Sequence, residues 1–153
     1  MAMKKKNLFS LVICCALLAS VAQAQNFGMG IMIGDPTALS FKSWQSATHA
    51  WDGGIGWNSG GSSIMHVHVD YLEHNATVIH AETGQALVYY GLGARVQATS
   101  GSSTVGLRIP LGMSYRWSQS NMEAFLEVVP VFNLIPGTSF DTDASLGARV
   151  YFN

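Results

Sequence analysis

The residues best equipped for chemistry in this chain lie in the stretch Met65-His66-Val67-His68-Val69-Asp70. Alternate residues of a β-strand share a face, so in an extended chain His66, His68 and Asp70 point the same way. Two imidazoles at that spacing can present nitrogens to one metal ion, and a carboxylate can be a third ligand or orient a histidine. The same three residues equally make a polar row inside a fold, bonded to Arg95 and its neighbours. Glu123 and Glu127 offer a second pair, two carboxylates of the kind used in acid/base catalysis. On a strand they share a face but lie two pleats apart, which suits counter-ions for arginine better than partners in one reaction. His49, His74 and His80 fall near predicted strand ends, among many serines. A lipid-modifying esterase or acyltransferase would draw on a serine and a histidine at such a rim, but no nucleophile motif joins them. No motif calls for a cofactor. Asn75-Ala76-Thr77 matches a glycosylation sequon.

What must position these residues is a set of strands. Apolar and polar residues alternate with period two, and no long helical period appears. The pattern predicts eight strands, at 26–34, 38–45, 49–58, 64–73, 86–97, 103–116, 121–133 and 143–152. Turn residues fill the gaps, among them Gly34-Asp35-Pro36-Thr37, Ser59-Gly60-Gly61-Ser62-Ser63 and Ser118-Gln119-Ser120. His74 to Gln85 is the longest predicted connection.

Sorting the strands by parity separates the chain into two faces. One carries only apolar residues, including Phe27, Met29, Ile31, Trp51, Val69, Tyr71, Leu92, Leu107, Leu126, Val128, Leu146 and Val150. The other holds Lys42, Asp52, His66, His68, Asp70, Arg95, Arg108, Arg116, Glu123, Glu127 and Arg149, with many glycines between them. In a water-soluble barrel or sandwich the charged face would be outside. Several strands, however, span about ten residues, the length that crosses a bilayer core when tilted by ~45°. With strands alternating up and down from one side of a bilayer, Phe27, Trp51, Tyr71, Tyr90, Tyr115 and Phe152 form one ring of outward aromatics. Phe41, Trp57 and Phe132 form a sparser ring at the other level. Two aromatic rings flanking an apolar band suit a membrane barrel. An eight-stranded barrel is filled by its own side chains, so the charges become an interior salt-bridge network of Lys42, Asp52, Asp70, Arg95, Arg108, Arg116, Glu123, Glu127 and Arg149. Arginine on the lipid face would instead cost roughly 2–4 kcal/mol each near the midplane. Asp35, Asp141 and Asp143 give the outer loops a negative cast.

Residues 1–24 are expected to be a cleaved signal peptide: Lys4, Lys5 and Lys6, then an apolar stretch from Leu8 to Val21, then the small-x-small site Ala22-Gln23-Ala24. A lipoprotein signal ending at Cys14 or Cys15 is the alternative, against which Leu11-Val12-Ile13 lacks the small residues that precede a lipidated cysteine. Both cysteines leave with this segment, so the remainder, 25–153, is read as one domain without thiol chemistry. It keeps five of the eight cations against nine carboxylates, a formal net charge of 5 − 9 = −4. That charge gives no basic patch for nucleic acid.

The last strand carries the most specific motif. Ser145, Gly147, Val150 and Phe152 occupy the fixed places of a polar-x-Gly-x-x-apolar-x-apolar pattern. It resembles the C-terminal signal that the insertion machinery reads in bacterial outer-membrane β-barrels, with Asn153 as an extra residue after the aromatic. The whole of 25–153 resembles the small eight-stranded barrels typified by the OmpA transmembrane domain and OmpX. The segment Gly30 to Lys42, with Gly34-Asp35-Pro36-Thr37-Ala38-Leu39-Ser40, is similar to spirochaete-type OmpA-like surface barrels, as is the His-x-His-x-Asp run; Ala38 replaces a glycine of that pattern. The resemblance implies an all-β, eight-stranded antiparallel up-and-down transmembrane β-barrel in the outer membrane. It also implies no open pore, no shared reaction, and a structural or surface-interaction (adhesin-like) role. The implied partners are outer-membrane lipid, the insertion machinery and an extracellular protein. The family keeps long loops outside and short turns in the periplasm, so a long periplasmic connection from His74 to Gln85 departs from it. A soluble periplasmic barrel binding an apolar ligand is the remaining reading.

Overall fold

The structure is a computed structural model and describes residues 27–58 and 64–152. The expected signal peptide and the turn at 59–63 lie outside the described residues. Nine strand segments follow in order: β1 (Phe27–Asp35), β2 (Ala38–Trp44), β3 (His49–Asn58), β4 (Ile64–Ala81), β5 (Gly84–Ala98), β6 (Ser103–Arg108), β7 (Leu111–Trp117), β8 (Met122–Ile135) and β9 (Ser139–Phe152). Every pairing is antiparallel, and β1 closes the ring by pairing with β9 along its whole length, Phe27 opposite Phe152 and Asp35 opposite Ala144. β6 and β7 are one stave of the barrel. Pro110 has no N–H to give to a ladder, so the strand is interrupted at Ile109 and Pro110. The ring is held across the gap by Ile109 N–H to the Pro130 carbonyl (3.0 Å) and Gly91 N–H to the Pro110 carbonyl (2.9 Å). Eight staves therefore close an all-β barrel, as the alternation predicts.

The register fixes the barrel's shape. Followed strand by strand from Phe27, opposite residues run through Ser43, Trp51, Tyr71 and Leu92. Past the stave break the same line reaches Pro130 and Thr142 and returns to β1 at position 37. Ten residues (37 − 27) are gained in one circuit, which for eight strands tilts them by roughly 40° from the axis.

Three connections differ from the sequence reading. The long link expected over 74–85 is a tight hairpin: β4 runs on to Ala81, Glu82 and Thr83 make the turn, and β5 begins at Gly84. A register irregularity between Asn75 and Ile79 absorbs the extra residues. The β-branched run Thr77-Val78-Ile79 favours extension, and a pattern interrupted by a bulge hides it. The connections on the side of the chain ends are therefore all short. The single strand expected over 103–116 is split at Pro110. β8 and β9 reach further than expected, to Ile135 and from Ser139, leaving a three-residue link.

The two faces are as sorted. Arg95, Arg108 and Arg149 are fully buried, whereas Leu107, Leu126 and Val150 are 44–52% exposed. The molecule is apolar outside and ionic inside.

Candidate functional site: an ionic interior in an apolar shell

The interior divides into two charge clusters, each assembled from several strands. In the lower one, near the chain ends, Lys42 Nζ of β2 lies 3.2 Å from Glu123 Oε1 of β8. Arg149 of β9 reaches the same Glu123 oxygen at 3.0 Å and Asp52 Oδ2 at 2.6 Å, and its Nε donates to Ser40 Oγ at 2.9 Å. Tyr151 donates its hydroxyl to Glu123 Oε2 at 3.0 Å and accepts from the Trp44 indole at 3.2 Å. Two cations and two carboxylates are balanced here out of contact with water. Removing charge from water costs several kcal/mol per ion, and only such multiple bonding offsets it.

In the upper cluster Arg95 grips Asp143 through both carboxylate oxygens (2.7 and 2.8 Å), Asp141 at 2.8 Å and the Asn133 side-chain oxygen Oδ1 at 3.1 Å. Arg108 donates from Nε to Asp70 at 3.0 Å and from Nη1 to Asp143 at 3.0 Å, with Glu127 3.5 Å from Nη2. Glu127 also accepts from the hydroxyls of Tyr89 (3.1 Å) and Ser145 (3.5 Å).

Glycine makes room for this packing. Inward glycines sit directly across the ladder from large side chains: Gly28 from Tyr151, Gly54 from His68, Gly112 from Tyr89 and Gly147 from Phe125. A Cβ at Gly112 would overlap the Tyr89 ring, and one at Gly147 the Phe125 ring. Arg149 in turn lies over the Phe125 ring, 3.8 Å from its centroid.

Several expected site residues behave differently from the sequence reading. Arg116 is not in an ion pair among the described residues. Its guanidinium lies over the rings of Tyr151 (4.9 Å) and Trp44 (5.2 Å), because its cross-strand neighbour Glu123 is already taken by Lys42 and Arg149. His66, His68 and Asp70 share the inward face but are not gathered as ligands. The two rings meet edge to face with a 3.0 Å contact from His66 Nε2 to His68 Nδ1, and the Asp70 carboxylate is held by Arg108. Among the described residues no three His, Cys, Asp or Glu side chains converge on a metal position. Glu123 and Glu127 belong to different clusters, so they face no common reacting atom.

Of the rim histidines, His74 is packed between Trp44 and Tyr89, 4.3 and 5.2 Å away, with Nδ1 3.2 Å from the Thr48 carbonyl. His49 Nδ1 lies 3.2 Å from Ser46 Oγ, but that oxygen accepts the N–H groups of Thr48 and His49 and so staples a turn. The His80 side chain lies outside the described residues. The terminal motif alternates as a strand must: Ser145 is buried, Gly147 lies under Phe125, and Val150 and Phe152 are exposed.

Asp141 and Asp143 are not loop carboxylates; they share the inward parity of Ser145 and Arg149, the signal that could have found them. Tyr89, Tyr151 and Trp44 also complete the network unannounced, since which rings meet across a barrel depends on closure.

The exterior is a continuous apolar surface with aromatics at two levels. Below, Phe27 stacks on Phe41 (6.3 Å between centroids), Trp51 meets Tyr71 (4.9 Å) and Tyr115 meets Trp117 (5.1 Å). Phe41 was expected at the upper level, but it pairs with Met29, only two residues from Phe27, and belongs to the lower. Above, Phe132 meets Phe140 at 5.3 Å, and Trp57 is 63% exposed near the upper end of β3.

A scan against family models and a sequence search of curated proteins each return no match. Among solved structures, the chain is similar to the N-terminal β-barrel domain of Pseudomonas aeruginosa OprF, with a TM-score of 0.59 over 83% of this chain and 96% of that one, at 14% identity. The likeness is one of fold: a closed antiparallel barrel.

Proposed function

We propose that this protein is an integral outer-membrane β-barrel with a structural or surface-interaction role, no open pore and no enzymatic activity. The observation that carries the reading is the inverted polarity: arginines and carboxylates buried at the centre, and Ile31, Leu92, Leu126 and Leu146 standing in the surroundings, each more than half exposed. In water such a surface would aggregate, since large exposed apolar patches mark contact with lipid or protein. In a bilayer it is the low-energy arrangement. The two aromatic levels lie on the order of 20 Å apart for tilted strands of this register, which suits the interfaces of an outer-membrane apolar band. The leader at 1–24 would export the chain and the Ser145–Phe152 strand would address it to the insertion machinery. Both chain ends then lie in the periplasm, beside the short turns. Within the small barrels, the Gly30–Lys42 segment allies it with the spirochaete-type surface proteins, and the upper connections would meet an extracellular partner.

A carrier of apolar ligands would need an apolar lumen, whereas this lumen is filled by ion pairs. The test is refolding from urea into detergent micelles or phospholipid vesicles. The expected result is a barrel that resists carbonate extraction and migrates faster on a gel before boiling than after. A protein that is monomeric and folded in buffer without detergent overturns the reading.

A further inference from the structure

On the outer surface of β1–β4 the apolar shell is notched. Outward positions of β3 read Trp51, Gly53, Ile55 and Trp57, so one side chain is missing from the row. Gly53 lies directly opposite Phe41 on one side and Val69 on the other. The result is a groove of about 300 Å³ with Gly53 in its floor and Phe27, Phe41, Trp51, Ile55 and Val69 in its walls. A Cβ there would press on the His68 carbonyl oxygen at 3.0 Å, meet Val69 Cγ2 at 3.9 Å, and find open space otherwise, so the room lies on the outer side of the strand.

We propose that this groove binds one acyl chain of a phospholipid from the leaflet on the side of the chain ends. The inference rests on the membrane reading above. The volume holds about ten groups the size of a water molecule, a scale that suits one hydrocarbon chain. The groove lies across β1–β4 and has a polar lip at its lower end. There Ser43 lines it, with the Gln45 amide donating to the Ser43 hydroxyl at 3.1 Å. Trp51, in the wall beside this lip, belongs to the lower aromatic level, where an indole sits between headgroup and chain. An amphiphile with its polar end at the lip and its tail upward matches that gradient. A second copy of the barrel does not. A stable protein interface buries about 800 Å² on each partner, and two convex cylinders touch along a narrow strip that a notch one residue wide does not enlarge.

The experiment uses the barrel refolded into vesicles of phosphatidylethanolamine and phosphatidylglycerol, then transferred to a mild detergent for native mass spectrometry. The heat-dependent gel shift checks folding first, so a failure to insert counts against the membrane reading and is seen separately. Wild type is expected to retain one phospholipid per barrel. Gly53→Leu, which fills the notch from outside, is expected to lower that occupancy at least fivefold. Trp51→Ala, which opens the wall, should lower it as well and serves if the leucine variant does not fold. Ala144→Leu, outward but remote from the groove, should leave it unchanged. Equal lipid retention in all four proteins means non-specific annular lipid and overturns the proposal. So does a wild type that retains none, or a cross-linked dimer that Gly53→Leu abolishes.

Discussion

In the lower half of the interior, Lys42 and Arg149 share Glu123, and Asp52 makes the fourth charge; all four are buried. In the upper half, Arg95 and Arg108 face Asp70, Glu127, Asp141 and Asp143, and the Asp141 side chain is 53% exposed. The four buried charges of the lower cluster balance, and they stand on an aromatic floor of Trp44, Tyr89 and Tyr151, with the half-buried Arg116 against the Trp44 and Tyr151 rings. The upper cluster carries two carboxylates in excess and reaches water through one of them. Buried charge thus follows two rules in one barrel. Where water is excluded, each ion must be matched inside; where water reaches the edge, the count can be uneven. The lower half should be brittle and the upper half forgiving.

The sharpest break is Glu123→Ala. Lys42 and Arg149 would stay buried without their shared acceptor, and Tyr151 would lose its own. Removing one partner of a buried pair costs about 3–5 kcal/mol. Urea unfolding of the refolded barrel should show a loss of that size. A loss under 1 kcal/mol would mean that water already fills the lower half. Next is Gly112→Leu, which drives a side chain into the Tyr89 ring. Overpacking of this kind costs about 1–3 kcal/mol, and Tyr89→Ala in the same chain should restore part of it. Equal effects of the single and double variants would deny the contact. Smaller still is Arg116→Ala, which removes a cation from above Trp44 and Tyr151. About 0.5–1 kcal/mol is expected for an accessible cation–π contact; a loss as large as that for Glu123→Ala would place Arg116 in the ionic network after all.

How much of this was legible follows from what sets each feature. Facing depends on residue parity alone, so a strand once recognised sorts its own side chains; Leu107, Leu126 and Val150 fell outward by that rule. Partners depend on ring closure. Lys42 and Glu123 are 81 residues apart, and Arg149 and Ser40 are 109 apart; nothing local announces either pair. Height depends on register, which is why strand parity alone sets Phe41 at the wrong aromatic level. Strand ends depend on turn chemistry and bulges, so the hairpin at Glu82 and Thr83 read as a loop, and Asp141 and Asp143 read as loop carboxylates. His66 and His68 were visible as a pair, but the arginine that claims Asp70 comes from a strand that no spacing rule brings near.

The smallest effect tests the forgiving half most directly. Asp141→Asn removes one carboxylate from Arg95 but leaves it the two oxygens of Asp143 and Asn133 Oδ1. The pair is half exposed on the aspartate side, so solvent and salt screen it, and exposed ion pairs contribute about 0.2–1 kcal/mol. The substitution also relieves the carboxylate excess, which acts in the opposite direction. The net loss in urea unfolding should therefore be under about 0.5 kcal/mol and should shrink further in high salt. Asp143→Asn supplies the contrast. It removes the charge that Arg95 and Arg108 share inside the barrel and turns an amide N–H2 toward one of them, so it should cost more than Asp141→Asn but less than Glu123→Ala. If Asp141→Asn proved as damaging as Asp143→Asn, water would not be reaching the upper cluster, and the two halves would obey one rule.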